Sequence, residues 1–353
     1  MKSNYKSIGN YIQETDVRNF ALHEYPLMGL SVSKKFIPSI ANIVGTDMKS
    51  YKVVQKNQFT YTADTSRRGD KIAISLSQDF DNILVSQIYT TFEIIDENKL
   101  NPEYLMMWFR RPEFDRYARF KSHGSAREIF DWEELCETLI PVPSISTQRA
   151  IVAEYNALQN RINNNQKIIQ KFEETAQAVY KEWFVENRNE GWEVGTLSDL
   201  IIFKNGKSKP NRSGNFPVYG GNGILDFVNE YNEENVISIG RVGAYCGSLH
   251  RELGKCWISD NAISAKSKIN CNMYSYYVLA ELKLNERSEG TGQPLITQGL
   301  LNMIEILIPR KDKILEFEKL VSNIYKNQNL FEKEIKKINE LKTLLLSKLA
   351  KGE

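Results

Sequence analysis

The sequence has few of the residues that build metal sites and disulfide frameworks. Its 353 residues include only four cysteines and three histidines. The cysteines show neither CxxC spacing nor a paired pattern; they are Cys136, Cys246, Cys256 and Cys271. We therefore expect no zinc site and no disulfide framework. Free, mostly buried thiols are typical of a protein in the reducing cytoplasm.

Long apolar runs and an excess of charge of one sign are also lacking. No stretch approaches the ~20 apolar residues of a membrane span, and residues 1–4 do not lead into the apolar run of a signal peptide. The 46 Lys and Arg residues nearly cancel the 44 Asp and Glu residues, which leaves a net charge of +2. Bulk charge therefore does not indicate a nucleic-acid partner, although one positive face would be enough for DNA binding.

Catalytic motifs are absent as well. Residues 101–104 (NPEY) lack the second Pro of a DNA amino-methyltransferase motif, and residues 219–223 (YGGNG) fit neither a dinucleotide-binding loop nor a Walker loop. There is no Gly-x-Ser-x-Gly and no convincing set of paired carboxylates with a nearby Lys for a nuclease. We therefore expect a chain that is not itself an enzyme.

A heptad pattern of mostly apolar residues occurs twice. Its steps alternate between four and three residues, like the a and d positions of a coiled coil. The first series is Ile151, Tyr155, Leu158, Ile162, Asn165, Ile169, Phe172, Ala176, Val179 and Trp183. The second series has the same spacing and is Phe317, Val321, Ile324, Gln328, Phe331, Ile335, Ile338, Lys342, Leu345 and Leu349. The two series therefore predict two similar helices.

Neither Pro nor Gly interrupts either series, so each predicts one unbroken helix of about 48 Å at ~1.5 Å per residue. A narrow apolar stripe on a long polar helix needs a partner. The simplest partner for one copy is the other, folded back antiparallel. The alternative is a pair of unrelated surface helices, each packed on its own domain. It stays open because the polar residues Asn165 and Gln328 do not coincide in the two series.

Two blocks of mixed strands and helices alternate with the long helices. The first block closes with residues 140–143 (IPVP) and the second with residues 306–309 (ILIP), and within them Asn101 and Asn272 are expected to cap helices. The order predicts an α/β (α+β) fold with two duplicated recognition domains, separated by two long helices that form an antiparallel coiled coil with pseudo-twofold symmetry. The predicted segments are 1–143, 144–185, 186–309 and 310–353.

Loops rich in Lys, Asn, Ser and Gly are candidate DNA contacts. Residues 204–214 (KNGKSKPNRSG) could approach phosphates with backbone N–H groups and with cationic side chains. The cations of this loop are Lys204, Lys207, Lys209 and Arg212. Residues 240–245 (GRVGAY) present Arg241 and Tyr245 on a tight turn, where an Arg could read guanine O6 and N7.

The first block has comparable basic turns at residues 65–70 and 121–127. Their cations are Arg67, Arg68, Lys121 and Arg127. Taken singly, each of these turns fits an ordinary solvated surface turn as well as a DNA contact. Their occurrence in both duplicated blocks favours the second interpretation.

In these features the chain resembles the specificity subunits of type I restriction–modification systems over essentially its whole length. The shared features are the block-then-helix order, residues 140–149 leading into a long helix, and the motifs at residues 218–223 (VYGGNG), 239–243 (IGRVG) and 292–296 (GQPLI). The resemblance implies two target recognition domains, each reading one half of a bipartite double-stranded DNA site. It adds Tyr219, Asn222 and Gln293 to the expected contacts, whereas the first block lacks the YGGNG and GRVG matches.

The resemblance also implies partners and cofactors. In that family the helices are spacers that dock two methyltransferase subunits, which carry the S-adenosylmethionine, and restriction subunits add an ATP- and Mg-dependent nuclease. The chain itself is then expected to hold no cofactor and no metal. The alternative from another class is a coiled-coil interaction or scaffold protein without DNA binding. A free-standing methyltransferase would instead bind the methyl donor by itself.

Overall fold

The computed structural model describes residues 5–41, 44–64, 71–122, 129–188, 191–288 and 294–349. The chain divides into two compact units. The first comprises residues 1–164 and 334–353, and the second comprises residues 165–333.

The described residues of the first unit form short strands, three short α-helices and two 3-10 helices, Ile8–Asn10 and Met48–Ser50. Its strands are β1 Tyr5–Ser7, β2 Ile12–Thr15, β3 Met28–Ser31, β4 Lys35–Pro38, β5 Lys52–Gln55, β6 Phe59–Tyr61, β7 Ile74–Leu76, β8 Asn82–Val85, β9 Thr90–Ile94 and β10 Leu139–Pro141. Its short helices are α1 Pro102–Phe109, α2 Pro112–Lys121 and α3 Trp132–Glu137. A four-stranded sheet has the order β2-β9-β6-β7, and β1–β10, β3–β4 and β5–β8 form separate antiparallel pairs.

Aromatic side chains fill the core between the four-stranded sheet and α1. Phe59 and Phe92 stack with ring centroids 4.8 Å apart, and Phe109 meets Phe59 edge-on at 6.0 Å. The Asn101 side chain accepts a hydrogen bond from the Tyr104 N–H at 3.0 Å, so it caps α1 as the sequence predicts.

A buried ion pair joins the β3–β4 hairpin to α2. Lys34 Nζ lies 2.6 Å from Asp115 Oδ1, and the two side chains are only 6% and 15% exposed. Lys34 Nζ also donates to the Ile72 carbonyl oxygen at 3.1 Å. Burial lowers the pKa of the Lys34 ammonium, and the hydrogen bond and charge of Asp115 oppose that shift.

The second unit contains one large sheet. The first long helix, α4, runs Ile145–Lys181 and continues into a π-helical turn at Glu182–Glu186. The strands that follow are β11 Glu193–Thr196, β12 Ile201–Asn205, β13 Ser213–Gly220, β14 Gly223–Val228, β15 Glu233–Gly240, β16 Leu249–Ile258, β17 Ala262–Ser267 and β18 Glu305–Ile308. The helices that follow are α5 Leu197–Leu200, α6 Asn272–Glu281, α7 Gln298–Met303 and the second long helix, α8 Lys311–Leu349.

The six-stranded sheet has the order β12-β17-β15-β16-β13-β14, and β11 pairs with β18 apart from it. The start of α6 differs from the prediction. Cys271 occupies the N-cap position and Asn272 is the first helical residue. The Asn272 amide instead accepts from the Ser267 N–H at 2.7 Å and donates to the Asn235 carbonyl at 2.6 Å. Because it satisfies backbone groups beside two strands, this Asn side chain does not cap the helix.

Within the first unit, the beginning of α4 packs antiparallel on the end of α8. Arg161 Nε donates to Glu334 Oε1 at 2.8 Å, whereas Gln159, two residues earlier, accepts from Lys342, eight residues later. The Lys342 ammonium also lies 4.7 Å from the centroid of the Tyr155 ring. Residue numbers along α4 decrease from 161 to 159 as those along α8 increase from 334 to 342, so the two helices run antiparallel.

Within the second unit, the rest of α4 packs antiparallel on the beginning of α8. Phe172 and Phe331 have ring centroids 6.0 Å apart, and Trp183 and Phe317 have centroids 6.2 Å apart. All members of both heptad series are buried or half-buried. Two units of mixed strands and helices, with long helices that pair antiparallel, confirm the predicted fold class.

Polar residues in the heptad series have different surroundings. Gln328 is 7% exposed, and its Nε2 donates to Glu173 Oε1 at 3.2 Å and to Glu332 Oε1 at 3.0 Å. Asn165 is fully buried, and neither its Oδ1 nor its Nδ2 has a hydrogen-bond partner among the described residues. Asn165 therefore carries the cost of an unpaired buried amide.

Candidate nucleic-acid interface

Two glycine-rich turns of the second unit pack against each other. Residues 220–223 connect β13 to β14, and residues 240–248 connect β15 to β16. The Ser248 hydroxyl donates to the Gly221 carbonyl oxygen. A Cβ atom on Gly240 would overlap the Tyr245 carbonyl oxygen, so only glycine permits this close approach.

The third motif of the sequence, residues 294–296, closes over the second of these turns. The Ile296 N–H donates to the Arg241 carbonyl at 2.9 Å, and the Gly243 N–H donates to the Pro294 carbonyl at 3.0 Å. Val242 and Leu295 form an isolated antiparallel bridge between these hydrogen bonds. Three motifs that are far apart in the chain therefore meet at one edge of the sheet.

Residues at the turn between β16 and β17 form hydrogen bonds with the loop that follows β12, and so bring it close to the two glycine-rich turns. The Gly206 N–H donates to the Ala262 carbonyl, and the Lys207 N–H donates to the Ile258 carbonyl, both at 3.0 Å. The Asn261 carbonyl accepts from the Arg241 N–H at 3.0 Å. Sequence reasoning missed Asn261, which is exposed. The Ser-Asp-Asn turn signal directly after a predicted strand could have found it.

The four cations of residues 204–214 differ in whether they form an ion pair within the protein. The predicted loop is shorter than residues 204–214, because Lys204 lies in β12 and pairs with Ser264 of β17. Lys204, Lys207 and Arg212 are exposed, and none of them has an ion-pair partner among the described residues. Lys209 forms an ion pair with Asp226, and this hydrogen bond holds the pKa of the Asp226 carboxyl below its usual value. The charge of Lys209 is therefore partly neutralised by the protein itself.

The other predicted contacts of this unit separate into outward and inward groups. Asn222 is exposed, and Tyr245 is 52% exposed. Arg241 is half-buried, and its Nε is buried without a hydrogen-bond partner in the described part of the chain. Tyr219 is buried and its hydroxyl donates to Glu252 Oε2 at 3.1 Å, so it supports the turn from behind. Burial, and secondarily Glu252, raises the pKa of that phenol.

The predicted contacts of the first unit are Arg67, Arg68, Lys121 and Arg127. Arg67, Arg68 and Arg127 lie outside the described residues, as does Gln293 of the second unit. Lys121 is described: its Nζ lies 2.9 Å from Glu134 Oε2 and 3.9 Å from Glu137 Oε2. The hydrogen bond to Glu134 raises the pKa of the Lys121 ammonium. Lys121 is thus held by carboxylates of α3.

The edge of the second unit offers binding chemistry. It combines exposed ammonium and guanidinium groups for phosphates with Asn222, Arg241 and Tyr245, whose side chains suit base edges and ring faces. Among the described residues, no group of three or more His, Cys, Asp or Glu side chains could hold a metal ion. No described helix combines the length and the apolar character that crossing a membrane requires. All four cysteines are free thiols, and three are buried.

Comparison with known proteins finds similar proteins of one kind. The family model for the type I restriction modification DNA specificity domain matches residues 189–343. The MjaIX specificity subunit of Methanocaldococcus jannaschii is 24% identical over 310 residues, which span 74% of this chain and 71% of that protein. The HindI specificity subunit of Haemophilus influenzae is 26% identical over 179 residues, which span 48% of this chain but only 38% of that protein.

Solved structures have the same fold. A type I restriction–modification S subunit from M. genitalium superposes with a TM-score of 0.62 at 18% identity, covering 98% of this chain and 95% of that one. The fold, the motifs that meet at one sheet edge and the matching relatives agree. Residues 189–343 match the DNA specificity domain of type I restriction–modification systems, and the proteins that the chain is similar to over most of its length are specificity subunits of such systems.

Proposed function

We propose that the chain reads a bipartite double-stranded DNA site, one half with each of two recognition domains. The proposed domains are residues 1–143 and 186–309, and the proposed spacer helices are residues 144–185 and 310–353. Support comes from the duplicated sequence order and from the two units, each of which has its own sheets and its own aromatic core.

The observation that carries this proposal is the meeting of separate loops at one sheet edge in the second unit. Lys204, Lys207 and Arg212 would neutralise phosphates there and fix the register of the DNA. Asn222 would pair with adenine and Arg241 with guanine in the major groove, while Tyr245 would contact a base or sugar. Tyr219 would support the turn from behind, and Lys209 would hold the loop through its ion pair with Asp226.

Partner subunits would supply the chemistry. Two methyltransferase subunits would carry S-adenosylmethionine, and restriction subunits, where present, would use ATP and Mg. Exposed leucines on α8 support a protein partner on the helices, because each would otherwise leave apolar surface in water. They are 42–63% exposed and are Leu315, Leu320, Leu330, Leu341 and Leu344.

A domain exchange tests the proposal. Residues 192–309 are replaced by the corresponding block of another specificity subunit, and methylated adenines are mapped in genomes that carry either gene. One half of the recognised sequence should change while the other half persists. A change in both halves would show that the two domains do not read independently.

Salt dependence separates this function from that of a coiled-coil scaffold without DNA binding. If phosphates are neutralised, log K for cognate DNA falls linearly with log salt, by about 0.9 per phosphate contact. The measurement uses the full chain with its methyltransferase subunits and a control duplex without the mapped sequence. If neither duplex binds at any salt concentration, the result favours the scaffold.

A further inference from the structure

Arg251 of β16 lies between two tyrosine rings. Its guanidinium carbon is 4.1 Å from the centroid of the Tyr276 ring on α6 and 3.7 Å from that of the Tyr325 ring on α8. The hydroxyls of Tyr277 and Tyr325 share a hydrogen bond of 2.5 Å, which joins the same two helices. One strand side chain therefore meets both helices that pack on this part of the sheet.

The charge of Arg251 has no carboxylate ion-pair partner among the described residues, and its Nη1 is buried without a hydrogen bond there. The nearby tyrosines, Tyr325 first, then stabilise this charge. A planar guanidinium can lie flat against an aromatic ring, whereas the compact ammonium of lysine cannot. The site therefore favours Arg over Lys, and a cavity of about 320 Å³ lies beside it.

The residues next to Arg251 on the same strand support the candidate interface. The Ser248 hydroxyl, just before β16, donates to the Gly221 carbonyl. The His250 ring lies 3.3 Å from where a Cβ of Gly223 would stand, and Glu252 accepts from the Tyr219 hydroxyl. The strand that Arg251 packs against both helices therefore also holds the turn that presents Asn222.

We propose that Arg251 is a positioning residue that fixes the turn at residues 220–223 relative to α8 and so sets how precisely the second unit discriminates bases. This inference rests on the proposed function. Arg251 does not touch DNA in this scheme; it acts through Ser248, His250 and Glu252.

The test compares Arg251→Lys with the matched exposed control Arg310→Lys in the full chain bound to its methyltransferase subunits. Discrimination is the Kd for a single-base variant divided by the Kd for the mapped target. Both Kd values are measured on the same preparation, so a smaller fraction of folded protein does not change their ratio. A mismatch ordinarily costs roughly 5- to 150-fold in affinity. Arg251→Lys should lower this ratio by about tenfold in one half-site only, and Arg310→Lys should lower it in neither.

If Arg251→Lys does not fold, Tyr276→Leu replaces it, because that variant removes one stacking face and leaves the cation in place. A lower thermal midpoint with unchanged ratios in both half-sites would overturn the inference and make Arg251 a structural residue only. If the protein without any substitution shows no preference for the mapped target, that result would instead overturn the proposed function itself.

Discussion

Replacing Asn165 with Leu should stabilise the protein. Asn165 is fully buried in α4, and both polar atoms of its amide lack partners among the described residues. Burying such an amide unpaired costs roughly 1–3 kcal/mol. Leucine has the same branched shape without polar atoms, so the substitution removes this cost. It also gains about 0.4 kcal/mol in helix propensity.

Asn164→Leu is the matched control. Asn164 precedes Asn165 in the same helix but is exposed, so it gains the same propensity without any change in a buried amide. Subtracting the two effects isolates the burial contribution. A difference of about 2 kcal/mol would raise the thermal midpoint by about 4–8 °C for a domain of this size.

The assay is urea and thermal unfolding of both variants, followed by circular dichroism. The urea midpoint of Asn165→Leu should exceed that of Asn164→Leu while the slope m stays unchanged. A lower midpoint for Asn165→Leu would refute the reasoning. It would mean that the Asn165 amide stabilises the helix pair rather than weakening it.

Three further substitutions have distinct expected outcomes. Arg241→Ala should cost roughly 1–3 kcal/mol in DNA affinity and relax one base position, which binding to single-base variants measures. Lys207→Ala should lower the slope of log K against log salt by about 0.9, whereas Lys209→Ala, which removes an ion-paired cation, should change it less; equal changes would contradict the assignment. Lys34→Met should destabilise the first unit by about 3–5 kcal/mol in urea unfolding, because the buried carboxylate loses its partner. The exposed Lys35→Met is its control, and similar midpoints for both would argue against the buried pair.

Local periodicity determined the long helices. An apolar residue every three or four positions, without Pro or Gly, specifies a helix and its buried face from residues that are close together in the sequence. The buried or half-buried state of every heptad position, from Ile151 to Leu349, follows from that repeat. The Asn101 cap was predictable for the same reason, because a cap involves residues only three positions apart.

The glycine-rich motifs were visible singly, but only the tertiary structure brought them together. Contacts between residues 221 and 248, or 241 and 296, depend on strand order and register in the six-stranded sheet. Registers between distant strands are set by packing across the whole sheet, which no local spacing reveals.

The tertiary structure also decided which candidate side chains remain available. Tyr219, Lys209 and Lys121 look alike as polar residues in promising loops, yet each is engaged by a carboxylate distant in sequence: Glu252, Asp226 and Glu134. Asn272 resembled a helix cap but binds backbone groups beside two strands instead. A side chain's hydrogen-bond partner depends on what folding places within about 3 Å of it. Composition and spacing therefore identified the loops, and three-dimensional packing selected the residues within them.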